Sequence, residues 1–209
     1  MKNYITALLI SAASILPACS SKGNAPSAPP ASITGLTNVR TTIEDLLTAG
    51  EPIQIVIPTS YTQDEFDSAQ DVYWRLDDEM KQRHSSSLQL FTGILAKGIT
   101  NDNFSTFHRI YIGTETDNPS IARFRSTLTD TQERILPGNG IGVVEAYAFS
   151  NSKKAIIITG TNDGEIHNAG QAVTQYDWPD LRGNTIDLDG TIIHVNGAFS
   201  DVSTTVYRK

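Results

Sequence analysis

The sequence predicts an α/β domain, a mainly parallel sheet flanked by helices and closed by a C-terminal β-hairpin. Three observations carry this. Short β-branched runs alternate with helical patterns from Pro52 to Tyr176, and such alternation builds parallel strands joined by helical crossovers. Ala155-Ile156-Ile157-Ile158 is the most apolar run, and a continuous β-branched run belongs to a central strand covered on both faces. Near the end, Ile186-Asp187-Leu188 and Thr191 to Val195 flank Asp189-Gly190, a dipeptide typical of two-residue hairpins.

Periodic sequence begins around Ile33. Thr41 and Glu44 have capping-box spacing, Ile43, Leu46 and Leu47 share one face, and Gly50 closes this first short helix. Ile53 to Ile57 lies between Pro52 and Pro58 as a strand. Thr62 and Glu65 form a second capping box, after which Phe66, Ala69, Tyr73, Leu76 and Met80 give a long amphipathic helix ending near His84. Leu88 to Phe91 fits a strand, Asn101 to Asn103 a loop, and Arg109 to Gly113 a strand. Asn118-Pro119 is an N-cap followed by proline at the first helical position, with Ile121, Phe124 and Leu128 as the apolar stripe. A turn at Pro137 to Gly140 precedes a strand from Gly142 to Phe149, with Glu145 and Tyr147 placed on its more exposed side. Thr161 to Gly164 opens a helix carrying Ile166, Ala169, Val173 and Tyr176 and stopped by Pro179. Val202 to Tyr207 adds a last edge strand.

Ahead of the domain stands a different kind of sequence. Lys2 gives a positive start, Ile5 to Leu16 is a short apolar run, and Leu16-Pro17-Ala18 precedes Cys19, the only cysteine in the chain. The segment resembles a bacterial lipoprotein signal peptide with Leu-Pro-Ala-Cys as its lipobox. The resemblance implies cleavage after residue 18, lipid on the Cys19 thiol and amine, and a membrane partner through that anchor. Ser20 stands where aspartate would signal inner-membrane retention, which implies the outer membrane in an organism that has one. Residues 19–32 hold three prolines among small polar residues and no large apolar side chain, so they read as a disordered spacer. Residues 33–209 then form one domain. With Cys19 lipidated it has no thiol for a disulfide, nucleophile or metal site. The formal charge of −7 gives no cationic footprint for nucleic acid.

Ligands of open parallel sheets bind beyond the carboxyl ends of the strands. Three strand-to-helix junctions there carry related polar chemistry: Thr59 and Ser60; Glu115, Asp117 and Asn118; Thr161, Asn162 and Asp163. If their strands are parallel neighbours, the three line one edge and present hydroxyls, amides and carboxylates suited to a polyol or sugar. Helix capping alone accounts for the same residue types. Glu115, Asp117, Asp163 and Glu165 also offer carboxylates for glycoside hydrolysis. No dinucleotide, P-loop or nucleophile-elbow pattern occurs, so no cofactor and no catalytic residue is assigned. His84, His108, His167 and His194 lack metal-binding spacing, so no metal is expected. Trp74 reads as core or rim, and Trp178 as packing at a helix end with sugar stacking as its alternative.

From Arg109 to Val195 the order of motifs resembles known extracytoplasmic domains. Ile110 to Thr114 leads into Asn118-Pro119, then come the strand Gly142 to Phe149, the run Lys154 to Asp163, and Leu181-Arg182-Gly183. This order is similar to S-layer-like surface protein domains, to the flavodoxin-like domains of the periplasmic subunit of bacterial cellulose synthase, and to the non-catalytic N-terminal α/β domain of some glycoside hydrolases. The resemblance implies a flavodoxin-like or related sandwich with an accessory role beside carbohydrate, and supplies no catalytic residue. The expectation is a non-enzymatic envelope lipoprotein that binds surface polysaccharide or an envelope protein. The alternatives are a small glycan hydrolase and a subunit of an assembly complex.

Overall fold

The computed structural model describes residues 31–84, 91–95, 107–127, 140–175, 186–196 and 203–207. Cys19 with most of its spacer, the Asn101–Asn103 loop, Leu128, Pro137 to Asn139, Tyr176, Trp178, Pro179 and Leu181 to Gly183 lie outside these residues. The element order is β1 (Ile33–Thr37), α1 (Val39–Ala49), β2 (Ile53–Ile57), α2 (Gln63–His84), β3 (Phe91–Leu95), β4 (His108–Gly113), α3 (Pro119–Arg125), β5 (Ile141–Phe149), β6 (Lys154–Thr159), α4 (Asp163–Gln175), β7 (Ile192–Asn196) and β8 (Ser203–Tyr207).

These form an α/β fold around one eight-stranded sheet in the order β3-β2-β4-β6-β5-β7-β8, with β1 paired to β5. The core strands β2, β4 and β6 are parallel neighbours, and β3 joins them in parallel at one side. Taken alone, the parallel strands lie in the order second, first, third, fourth, which is how flavodoxin-like sheets begin. Beyond β6 the sheet turns antiparallel: β5 pairs with β6, β7 with β5, and β8 with β7.

Alternation along the strands sorts the core into two layers. Ile53, Ile55, Ile110, Ile112, Val144, Ala146, Ile156 and Ile158 face α1, α2 and α4, whose Leu46, Leu76 and Val173 complete that cluster. Val56, Tyr111, Tyr147, Phe149 and Ile157 face the other way, under Ile121 and Phe124 of α3. Helix α2 therefore covers one face of the sheet and α3 the other.

Several expectations need correcting. Asn38, not Thr41, caps α1: its Oδ1 accepts the Thr41 N–H at 2.9 Å, so the helix starts at Val39, three residues earlier than the Thr41–Glu44 pattern implied. The Asp189-Gly190 hairpin does not form. Val39 and Arg40 N–H donate to the carbonyls of Gly190 and Leu188 at 2.7 and 3.1 Å, so that turn serves the start of α1. The C-terminal antiparallel pair is instead β7 with β8. Glu145 and Tyr147 are fully buried, because α3 covers the face that alternation had assigned to solvent. Of the two readings for Trp74, core or rim, its 49% exposure on α2 removes the core. Strand β1 was not foreseen; of the expected Leu88–Phe91 strand, Leu88 to Leu90 lie outside the described residues and Phe91 opens β3. Ala31 is buried and Ser32 pairs with Ser150, so the last two spacer residues already pack on the domain.

The α1 cap is testable. Asn38→Ala removes the bond to Thr41 N–H and the donation from Nδ2 to Asp189 Oδ1 at 2.6 Å, and should cost about 1–2 kcal/mol. Thr41→Ala, at an exposed helical position, should cost no more than about 0.5 kcal/mol. Urea melts of the two variants check the difference.

Candidate functional site

Because β2, β4 and β6 are in parallel register, with Val56 opposite Tyr111 and Ile112 opposite Ile158, their carboxyl ends lie side by side. The three polar junctions therefore share one edge, as their sequence required. Between β2 and β4 the chain order reverses, which makes this the switch point where open α/β sheets present a crevice.

The first junction follows Pro58. Thr59 and Ser60 are exposed, and Tyr61, 40% exposed, stacks on Phe66 with ring centroids 5.7 Å apart. The expected capping box then closes: Thr62 N–H donates to Glu65 Oε2 at 2.8 Å and Glu65 N–H to Thr62 Oγ1 at 3.2 Å. Glu65 is buried at the switch point itself. A Cβ at Gly113, whose φ is 134°, would lie 2.8 Å from Pro58 Cγ and 3.1 Å from Glu65 Oε1. Only glycine at the end of β4 leaves room for that carboxyl. Burial pushes the Glu65 carboxyl above its ordinary range, and the nearby charges of Asp163 and Asp117 push the same way against the bonds from Thr62.

The second junction is a tight turn. Thr114 Oγ1 donates to Asp117 Oδ2 at 2.9 Å and accepts Asp117 N–H at 3.1 Å. Asn118 is fully buried: Oδ1 accepts Ser120 N–H at 3.2 Å while Nδ2 donates to Ile112 O at 3.3 Å. Glu115 swings off the edge towards Arg125. At the third junction Thr161 and Asn162 are exposed, and Asn162 Oδ1 accepts Glu165 N–H at 3.1 Å. Glu165 Oε2 receives Thr161 N–H at 2.7 Å and Thr161 Oγ1 at 2.8 Å, and its Oε1 receives Gly140 N–H at 3.0 Å. Asp163 is half-buried in the first turn of α4, where its charge complements the helix dipole.

The three junctions bring Thr59, Ser60, Asp117, Thr161, Asn162 and Asp163 to one edge, whereas Glu115 turns to Arg125 and Asn118 is buried as a cap; capping explains most of the side-chain bonds. The chemistry of the edge follows from who occupies the helix amides. Glu65 sits on the start of α2 and Glu165 on the start of α4, where a phosphate-binding fold would place its phosphate. With Asp117 and Asp163 beside Glu65, the edge repels anions and offers acceptors to neutral polyhydroxylated or cationic groups. Among the described residues no group of three or more His, Cys, Asp or Glu is arranged to hold a metal ion.

A second polar cluster was not read from the sequence. Arg125, at the end of α3, pairs with the fully buried Glu145, which also receives the Tyr147 hydroxyl at 2.9 Å. Arg125 Nε lies 2.7 Å from Glu115 Oε1 as an ion pair, not as an aligned hydrogen bond. Burial raises the Glu145 carboxyl against the pull of Arg125 and Tyr147. His194 on β7 is held below its usual value, first by burial and then by the Arg125 charge. The only sequence signal was an arginine three residues past Ile121-Ala122, on a helix with an apolar stripe.

The remaining histidines have structural partners. The His84 ring meets Leu47 O at 2.6 Å, closing the α2 end over α1. His108 Nε2 lies 3.1 Å from Glu51 Oε2, which also pairs with Lys153. No protein-family model matches this chain, and no curated protein matches it.

Proposed function

We propose that this protein is a lipid-anchored envelope protein that works by binding, with the carboxyl edge of its sheet as the contact surface for surface polysaccharide. The observation that carries this reading is the common edge formed by Thr59, Ser60, Asp117, Thr161, Asn162 and Asp163 across the switch point. Exposed hydroxyls and the Asn162 amide share this edge with the Asp117 carboxylate, which is bonded to Thr114, and with the half-buried Asp163. Tyr61 adds an exposed ring at the rim, and a ring backed by Phe66 suits the apolar face of a pyranose. The lipobox sequence supplies the anchor, and the resemblance to extracytoplasmic α/β domains beside carbohydrate points the same way.

Hydrolysis is the weaker reading. It requires two carboxyl groups facing each other across a cleft, one of them as a proton donor. Glu65 has the raised pKa of such a donor, but it is only 2% exposed and its Oε2 is bonded to the Thr62 backbone. Glu115 is engaged by Arg125 and Asp117 by Thr114.

The test uses polysaccharide prepared from the producing cell's own envelope and isothermal calorimetry with the folded domain. Asp117→Ala combined with Asp163→Ala should weaken binding at least about tenfold, the loss expected for two hydrogen-bond acceptors of roughly 1 kcal/mol each. Unfolding free energy should change by no more than about 1 kcal/mol, because loss of the Thr114 bond is offset by relief of repulsion on Glu65. Unchanged affinity in the double variant would remove the edge as the site.

A further inference from the structure

Chain direction fixes where the spacer enters the domain. Strand β1 runs antiparallel to β5, with Ile33 opposite Phe149 at the carboxyl end of β5. Strand β5 in turn runs antiparallel to β6, with Ala148 opposite Lys154 at the amino end of β6. The chain therefore joins the sheet at its amino edge. The joint is fixed: Ala31 is 7% exposed within the aromatic cluster, Ser32 N–H donates to Ser150 Oγ at 3.1 Å, and Ser32 O accepts Ser150 N–H at 2.9 Å. The polar junctions lie at the opposite edge, one strand length away, or about 20 Å at ~3.3 Å per residue.

We infer that the membrane-facing surface of this domain is the amino edge, around Ser32, Ser150 and the α1–β2 connection, and that the carboxyl edge points away from the lipid. The inference rests on the lipid-anchor reading and adds to it a direction. The covalent entry point sets that direction, not attraction to headgroups. At the amino edge Lys153 is paired with Glu51 and Lys154 with Asp45, so these cations are neutralised within the domain. From Cys19 to Ala31 the chain spans at most about 40 Å even when fully extended. A disordered spacer of about 12 residues has a root-mean-square span of only about 20 Å, comparable to the distance between the edges, so the entry edge is on average the one nearer the bilayer. The carboxyl edge then faces structures lying in front of the membrane, such as polysaccharide or a surface layer.

The experiment is energy transfer from the full lipidated chain in liposomes to an acceptor on the lipid headgroups. Cys19 carries the lipid and no other cysteine exists, so single labels can be placed at Thr48→Cys, in the last turn of α1 by the amino edge, or at Thr116→Cys in the turn after β4. Both positions are exposed. Transfer from position 48 should exceed that from position 116 roughly twofold or more, given the ~20 Å between the edges. Equal transfer, or more from position 116, overturns the orientation while leaving the anchor intact. A wild-type chain that stays in the soluble fraction, or a Cys19→Ser chain that sediments with membranes as wild type does, overturns the anchor reading and this inference with it.

Discussion

Arg125→Met should destabilise the domain by about 3–5 kcal/mol at neutral pH, the cost of leaving a buried carboxylate without its partner. Glu145 is fully buried in β5, and among the described residues Arg125 and the Tyr147 hydroxyl answer its charge. Glu115 keeps a 35% exposed side chain and tolerates the loss through water. Burial, ahead of the Arg125 charge, holds His194 below its usual value and so disfavours its taking over as the missing cation. The pH dependence has a definite sign. The folded-state pKa of Glu145 is raised, so the stability linked to it is present below the unfolded value of about 4.3 and is lost as pH rises through the folded value. Arg125 opposes that rise. Without it the folded value moves further up, and the variant's deficit widens towards neutral pH and shrinks in acid. Urea melts from pH 4 to 8 read this directly. The double variant Arg125→Met with Glu145→Gln should recover most of the loss at pH 7, since the amide still accepts from Tyr147. A single variant as stable as wild type at pH 7 would contradict the buried pair.

How much of this was legible follows from which interactions are local. The Thr62–Glu65 capping box, the Asn118-Pro119 start and the full length of α2 were read correctly, because each is decided by residues within a few positions of one another. The edge was legible for a similar reason: β-branched runs followed by polar junctions imply parallel strands, and parallel strands align their junctions. Failures came where a distant segment competes. The Thr41–Glu44 pattern is sound locally, yet Asn38 gains Asp189 and the carbonyls of Leu188 and Gly190 as neighbours, so the helix begins earlier. The same contact withdraws Asp189-Gly190 from its hairpin. Glu145 and Tyr147 alternate as solvent-facing residues do, and nothing within β5 announces that α3 lies over them or that Arg125 waits there.

Gly142→Ala should cost at least about 3 kcal/mol or abolish soluble expression, more than most insertions of one methyl group into a core. Gly142 faces the first turns of α4. A Cβ there would stand 2.1 Å from the Glu165 carbonyl oxygen and 2.9 Å from Ala169 Cβ, so backbone and not a flexible tip would have to yield. Helix α4 has no easy way to retreat. Its Ile166, Ala169, Ala172 and Val173 are buried on the sheet, and the Glu165 carboxylate is fastened to Thr161 N–H and Gly140 N–H on either side. Gly164→Ala, in the first turn of α4 itself, is the control. Its nearest neighbour is Asn162 Oδ1 at 3.4 Å, and a Cβ in the first turn of a helix should stabilise by about 0.4–1 kcal/mol by restricting the unfolded chain. Opposite shifts of the two urea midpoints are the expected result. A wild-type midpoint for Gly142→Ala would mean that α4 does not lie this close to β5. The contact also links packing to the proposed edge, because the turn that α4 fixes in place is Thr161 to Asp163. Any folded remnant of Gly142→Ala, with α4 lifted from β5, should therefore lose polysaccharide affinity along with stability, whereas Gly164→Ala should keep both.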